Sequence, residues 1–185
     1  MTYARIARRI RVPLGFLLAI LYFWLARPTW LSILVGGLIA LLGVAVRAAA
    51  SGHITKNAAL TTTGPYAYTR NPLYLGSIII GVGFAVAALN AWIGLAIAAL
   101  FFAIYLPVIA SEEQFLRNQF PDYVAYEREV PRLIPRLRRT SGQRPATSDQ
   151  GSFSWERYRK HREYNAFLGT LFMIAALAVK LVWVR

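Results

Sequence analysis

The chain has no cysteine, only two histidines, two methionines and eight acidic residues in 185 positions. Without cysteine it has no disulfide, no thiolate nucleophile and no zinc–thiolate centre. His53 and His161 stand in separate segments, so a metal site is not expected. Charge is scarce as well. Asp, Glu, Lys and Arg make up 16% of the chain, against about 25% in a typical soluble domain. Hydrophobic residues make up 57%, more than a soluble fold of this size can cover with so few charges. The net charge of +13 does not imply nucleic acid, because the basic residues interrupt long apolar runs. A bilayer with anionic headgroups is the better partner for such an excess.

A membrane-spanning helix needs about 20 largely apolar residues. Five runs approach that length: 13–26, 29–46, 73–89, 91–110 and 166–184. Arg5, Arg8, Arg9 and Arg11 precede the first, as in a signal peptide. No convincing small-residue cleavage site follows and a second apolar run begins almost at once, so a retained first helix is expected. Arg27-Pro28 separates the first two runs, because proline disfavours helix in the residue before it. Pro107 predicts a kink in the fourth run, and Lys180 can snorkel from the fifth. Residues 112–130 read as a charged amphipathic helix, and 139–154 have linker composition. Residues 155–164 mix aromatics with Arg and Lys, which suits a helix at headgroup level. The expected fold is an all-α polytopic membrane helix bundle of about five transmembrane helices with a cytoplasmic amphipathic segment. Its core is 1–138, followed by the linker and then by 155–185, a basic interfacial segment and C-terminal transmembrane helix.

The charges are distributed unevenly. The N-terminal tail, the 47–70 connection and the 111–165 connection hold 18 of the 21 Lys and Arg and all eight acidic residues. Five crossings place these three segments on one side, and the positive-inside rule makes that side cytoplasmic, with the N-terminus inside. The inner membrane of a cell is the expected location.

Two clusters at the ends of these runs can carry chemistry. The first is Gly64-Pro65-Tyr66-Ala67-Tyr68-Thr69-Arg70-Asn71-Pro72-Leu73-Tyr74-Leu75-Gly76. Asn71-Pro72 can be an ordinary helix start, with Asn71 as cap and Pro72 in the first turn. Alternatively the helix N-terminus, Arg70 and the tyrosines form an anion-binding pocket. The second cluster is Glu112-Glu113-Gln114-Phe115-Leu116, followed by Phe120, Tyr123, Tyr126 and Val130-Pro131-Arg132-Leu133-Ile134-Pro135. Carboxylates that directly follow an apolar run are costly. They serve either a helix-end salt bridge or the hydroxyl and ammonium groups of a ligand. Arg132 is either an interfacial charge or a group that orients an acidic substrate.

Together the clusters resemble the isoprenylcysteine carboxyl methyltransferase and phospholipid methyltransferase family. That family carries a G-x-Y-x-x-x-R-[HN]-P-x-Y-x-G segment and a later E-E-x-x-L…F-x-x-Y-x-x-Y…V-x-R-x-x-P segment, and the match runs from Gly64 to Pro135. The resemblance implies methylation of a lipid-like or prenylated substrate with S-adenosylmethionine, released as S-adenosylhomocysteine. It assigns Arg70, Arg132 and Glu113 to catalysis, and Tyr66, Asn71, Tyr74, Glu112 and Glu113 to the cofactor. Tyr123 and Tyr126 fall to the substrate. Gly81-Val82-Gly83 resembles a cofactor-binding glycine pair of phospholipid N-methyltransferases, but G-x-G inside a helix discriminates poorly and close helix packing is the somewhat better reading. Asn71 stands where many relatives have histidine, and the last helix lies outside the matched segments. An NADPH-dependent reductase of the sterol-reductase type and a non-catalytic membrane protein are the alternatives. The acceptor, whether carboxylate, amine, alcohol or thiol, and the oligomeric state are not encoded in any motif.

Overall fold

The computed structural model describes residues 3–55, 59–136 and 152–183, with only the backbone of 3–12 and 14. All the regular structure among them is helical. Helix α1 (Tyr3–Leu25) starts ten residues before the expected span, so the N-terminal arginines continue the helix. Pro28 ends it at the expected place. Thr29 then opens α2 (Trp30–His53) with a reciprocal cap, its Oγ1 accepting from Ser32 N at 3.1 Å and its own N–H donating to Ser32 Oγ at 2.9 Å. Helix α2 runs seven residues past the expected end at 46, since Arg47-Ala48-Ala49-Ala50 contains no breaker.

Helix α3 (Pro72–Ala88) packs antiparallel on α2 along a seam of small residues. A Cβ on Gly36 would lie 2.4 Å from Gly83 O, and one on Gly43 would lie 2.6 Å from Gly76 O. Glycine lets these two backbones touch, which is how membrane helices gain contact without a hydrophobic driving force.

The fourth expected helix and the amphipathic helix meet differently from the expectation. Helix α4 (Ala91–Leu100), a π-helical turn (Phe101–Tyr105) and α5 (Leu106–Gln119) form one continuous rod. The charged boundary at residue 111 is a change of composition and contains no helix breaker. The break comes at Phe120, which precedes Pro121 and is extended (φ −121°, ψ 112°). Helix α6 (Tyr123–Glu129) is therefore separate, and the 112–130 helix is corrected to the end of α5 plus α6. Pro107 acts through the turn before it. Its ring cannot accommodate a regular preceding turn, and Leu106 N–H reaches Phe101 O, five residues back. Helices α7 (Trp155–Lys160) and α8 (Tyr164–Trp183) complete the described chain. The linker at 139–154 lies largely outside the described residues.

One end of the bundle is tied by its hairpins. Arg27 N donates to Ala88 O at 2.8 Å, and Asn90 Nδ2 donates to Leu25 O at 2.9 Å. Lys180 Nζ donates to the carbonyls of Phe23, Trp24 and Ala26, supplying donors to the end of α1. Trp24, Trp30, Trp92 and Trp183 stand exposed at this end, as in an interfacial aromatic belt. Among the described residues, three helices are long and apolar enough to cross a membrane: Trp30–His53, Ala91–Gln119 and Tyr164–Trp183. Gly15–Leu25 and Pro72–Ala88 are shorter apolar helices. Leu31, Leu34, Leu38 and Leu42 form an exposed stripe on α2, which suits hydrocarbon rather than water.

Candidate functional site

The opposite end joins the two sequence clusters through their backbones. Arg70 N donates to Pro131 O at 2.9 Å, and Arg136 N donates to Tyr68 O at 3.1 Å. Thr69 Oγ1 donates to Arg132 O at 3.1 Å, and Tyr126 Oη donates to Tyr66 O at 2.8 Å. Gly64 begins this segment at φ +59°, a left-handed conformation natural to glycine, and a Cβ there would strike the His53 ring.

Asn71 occupies the cap position of α3 without capping it. Its Nδ2 instead donates to Glu113 Oε1 at 2.9 Å and to Arg132 O at 3.1 Å. Glu113, 3% exposed, also accepts from Arg132 Nη2 at 2.7 Å and Nε at 3.0 Å, with Arg70 Nη1 at 3.7 Å. Arg70 Nη1 donates to Glu127 Oε1 at 2.6 Å, and Arg117 holds the other oxygen of Glu127 at 2.7 Å. Burial works against the charge on Arg70, but the Glu127 hydrogen bond and the Glu113 charge raise its pKa above the ordinary value. Burial also opposes ionisation of Glu127, and its hydrogen bonds to Arg117 and Arg70 overcome this to lower its pKa.

Successive helix residues point about 100° apart, so the two adjacent glutamates separate. Glu113 faces this ionic network, whereas Glu112 faces a cavity of about 720 Å³. Arg70, Tyr66, Tyr74, Tyr123 and Tyr126 line the same cavity, as do the unanticipated Arg47, Ser77, Tyr105, Phe115 and Glu163. Tyr74 meets Tyr105 edge-on at 5.8 Å. Asn71, Glu113 and Arg132 stand behind the wall. Gly81 and Gly83 do not reach it: Gly83 is buried in the α2–α3 seam and Gly81 faces Ile97. Both glycines expected at the cofactor instead face neighbouring helices, which is the close-packing arrangement.

Three buried polar atoms make no hydrogen bond of good geometry among the described residues, Tyr66 Oη, Arg70 Nε and Tyr123 Oη, although the Arg70 guanidinium lies beside the Tyr123 hydroxyl. All three residues line the cavity. Burial, then the Glu113 charge, pushes the Tyr123 phenol up to about 12 against the pull of Arg70. Burial likewise raises the pKa of Tyr66 and Tyr126. These phenols remain protonated at neutral pH and can donate. Glu112 makes no ion pair among the described residues. The site thus offers buried donors and a carboxylate on the wall of one cavity. Among the described residues no group of three or more His, Asp or Glu is placed to hold a metal ion.

Residues 10–123 match the phospholipid methyltransferase family. The chain belongs to that family. Membership covers the Gly64–Gly76 cluster and Glu112 to Tyr123, and stops before Tyr126, Arg132 and the 152–183 segment. Among curated relatives, the cobalt-zinc-cadmium resistance protein CzcN of Cupriavidus metallidurans is 36% identical over 156 residues, covering 77% of this chain and 69% of the relative. The nickel-cobalt-cadmium resistance protein NccN of Alcaligenes xylosoxydans xylosoxydans is 35% identical over 82 residues, covering 44% of this chain and 38% of the relative. No solved structure matches the chain. The long apolar helices and the phospholipid methyltransferase family agree on an integral membrane protein.

Two charged members of this site escaped sequence reasoning. Arg47 carried a signal, as an ionisable group closing an apolar run. Glu163 carried none, because its place depends on a segment that returns to α2 from 116 residues away.

Proposed function

We propose that this phospholipid methyltransferase family member transfers a methyl group from S-adenosylmethionine to a lipid-like or prenylated acceptor. The observation that carries the reading is the cavity wall, with its three unpartnered donors and its unpaired carboxylate. Those groups fit a zwitterionic cofactor. Tyr66, Arg70 and Tyr123 can donate to its carboxylate, while Glu112 can accept from its ammonium group or ribose hydroxyls. The rings of Tyr74, Tyr105 and Phe115 offer faces to adenine or to a sulfonium cation. The volume falls within the range of about 300–1,000 Å³ for small-molecule sites.

When bound, S-adenosylmethionine supplies an electrophilic methyl group. Tyr66, Arg70, Tyr123 and Glu112 would hold that donor while an acceptor lone pair formed the new bond to carbon and the electrons of the broken carbon–sulfur bond stayed with S-adenosylhomocysteine. The chain's part is alignment and a fixed electrostatic frame. Glu113 and Arg132, assigned by resemblance to catalysis, act on this geometry as positioning residues that hold Arg70 and Asn71. The acceptor class, carboxyl O-methylation or amine N-methylation, fits the cavity equally well.

Charge distribution supports five crossings of the cell inner membrane, with the N-terminus and the cavity on the cytoplasmic side. An apolar acceptor then reaches the site from the bilayer while the cofactor arrives from water. A nicotinamide reductase is less well supported, since the unpaired Glu112 would face a phosphate-rich cofactor. The names of two relatives associate them with metal resistance. A resistance role here would act through methylation of an envelope lipid.

Calorimetry with S-adenosylhomocysteine on the detergent-purified chain tests the reading. Binding is expected, weakened about tenfold, or about 1.4 kcal/mol, in Glu112→Gln. A folded wild-type protein that does not bind would overturn it.

A further inference from the structure

The family match ends at Tyr123, yet the segment after residue 152 is built into the cavity. Phe153 lies on Gly52, where a Cβ would come within 2.2 Å of its ring, and meets His53 edge-on at 6.0 Å. Ser154 N and Arg157 Nε both donate to Gly52 O, at 2.9 and 2.8 Å. This dock holds α7 against the end of α2 and delivers Glu163 to the cavity wall.

There Glu163 grips Arg47 with both oxygens, Nε to Oε2 at 3.0 Å and Nη2 to Oε1 at 2.9 Å. Arg47 Nη1 donates to Leu73 O at 3.1 Å and Ser77 Oγ at 2.5 Å. Four of the five guanidinium N–H groups are thereby committed. Arg47 is therefore poorly placed to receive an anion, but its charge still borders the cavity. The other arginine on the wall, Arg70, is paired with Glu127.

Resting on the cofactor reading above, we propose that Glu163 is a positioning residue that neutralises Arg47, so that this wall favours the cationic cofactor over its neutral product. S-adenosylmethionine carries one net positive charge, which S-adenosylhomocysteine lacks after methyl transfer. With Arg47 paired, Glu112 is the lining carboxylate left to attract the sulfonium form. An unpaired Arg47 would offset that attraction and erode the preference. The segment beyond the family match thus sets a ligand preference rather than only anchoring a helix.

The test measures equilibrium binding of S-adenosylmethionine and S-adenosylhomocysteine to the full-length chain in detergent, for wild type, E163Q, R47Q and R47Q/E163Q. A sphere of the cavity's volume is about 11 Å across, and at that separation an effective dielectric constant of about 20 makes one unit charge worth about tenfold in affinity. E163Q is expected to weaken the cofactor about tenfold relative to the product. R47Q, which leaves Glu163 as an added negative charge, shifts the ratio the opposite way. The double variant returns it to within about twofold of wild type, as expected for a coupled pair. K180M, which disturbs the opposite end of the bundle, controls for general destabilisation and leaves the ratio unchanged. Should E163Q fail to fold, the opposite shift in R47Q still decides the matter. Variants that change both affinities equally, or not at all, would overturn the proposal while leaving the cofactor reading intact. A folded wild type that binds neither ligand overturns both.

Discussion

Replacing Glu113 by glutamine is the sharpest probe of how the two motif clusters are joined. The carboxylate is 3% exposed and accepts from Arg132 and from Asn71, with Arg70 at 3.7 Å. Breaking a buried ion pair by removing one partner costs about 3–5 kcal/mol. Arg132 is 47% exposed and can regain water, and Arg70 keeps Glu127. The cost of E113Q therefore belongs at the low end, about 3 kcal/mol. For a chain of this size about 2–4 °C of Tm accompanies each kcal/mol, which gives a fall of about 6–12 °C. Arg132→Gln should fall less, and the double variant should fall by less than the sum of the two. The assay is a thermal melt in detergent, paired with S-adenosylhomocysteine affinity measured well below the melt. Affinity should weaken only modestly, because Glu113 stands behind the cavity wall. An E113Q protein with unchanged Tm and abolished binding would refute this reasoning and make Glu113 a ligand contact.

The unpartnered Tyr123 hydroxyl predicts that Tyr123→Phe leaves stability unchanged or raises it by about 1 kcal/mol while weakening ligand binding about tenfold; lower stability with normal binding would contradict this. Because the Tyr123 phenol is pushed up to about 12, its ionisation leaves stability untouched below about pH 10 and opposes the folded state as pH rises from there towards 12. Melts between about pH 9 and 12 should therefore fall less steeply for Tyr123→Phe than for wild type. A Cβ at Gly83 would lie 2.5 Å from Ala40 N and from Gly36 O, so Gly83→Leu should abolish monodisperse protein on size exclusion. Gly81→Ala meets only the Cγ2 methyl of Ile97, at 3.0 Å, with no backbone in the way, and should keep both fold and ligand binding.

The helices were legible because apolar runs of this length have few alternatives in water. Their ends were less so. The runs ending at Arg47 and Ala110 looked complete because composition changed there, yet the backbone continues until a real obstacle, His53 followed by extended Ile54 or Phe120 before Pro121. The two clusters could be paired by their order and by their position at one end of the apolar runs. Sequence spacing did not separate the roles of Glu112 and Glu113, which differ by a single turn angle about α5. The same limit applied to Gly81-Val82-Gly83, whose spacing suits a helix seam only somewhat better than a ligand until α2 is seen against it. Glu163 was invisible because its partner Arg47 lies on α2, and nothing local to either residue records the dock formed by Phe153 and Arg157.

The central claim is that the cavity bounded by Tyr66, Arg70, Glu112 and Tyr123 holds the methyl donor. Ultraviolet cross-linking of radiolabelled S-adenosylmethionine to the purified chain, followed by peptide mapping, tests it most directly. Label is expected in peptides spanning Gly64–Ser77 or Glu112–Tyr126, and excess S-adenosylhomocysteine should compete it away. Label confined to peptides from the Trp24–Trp30 end of the bundle, or label that the product does not displace, would contradict the account.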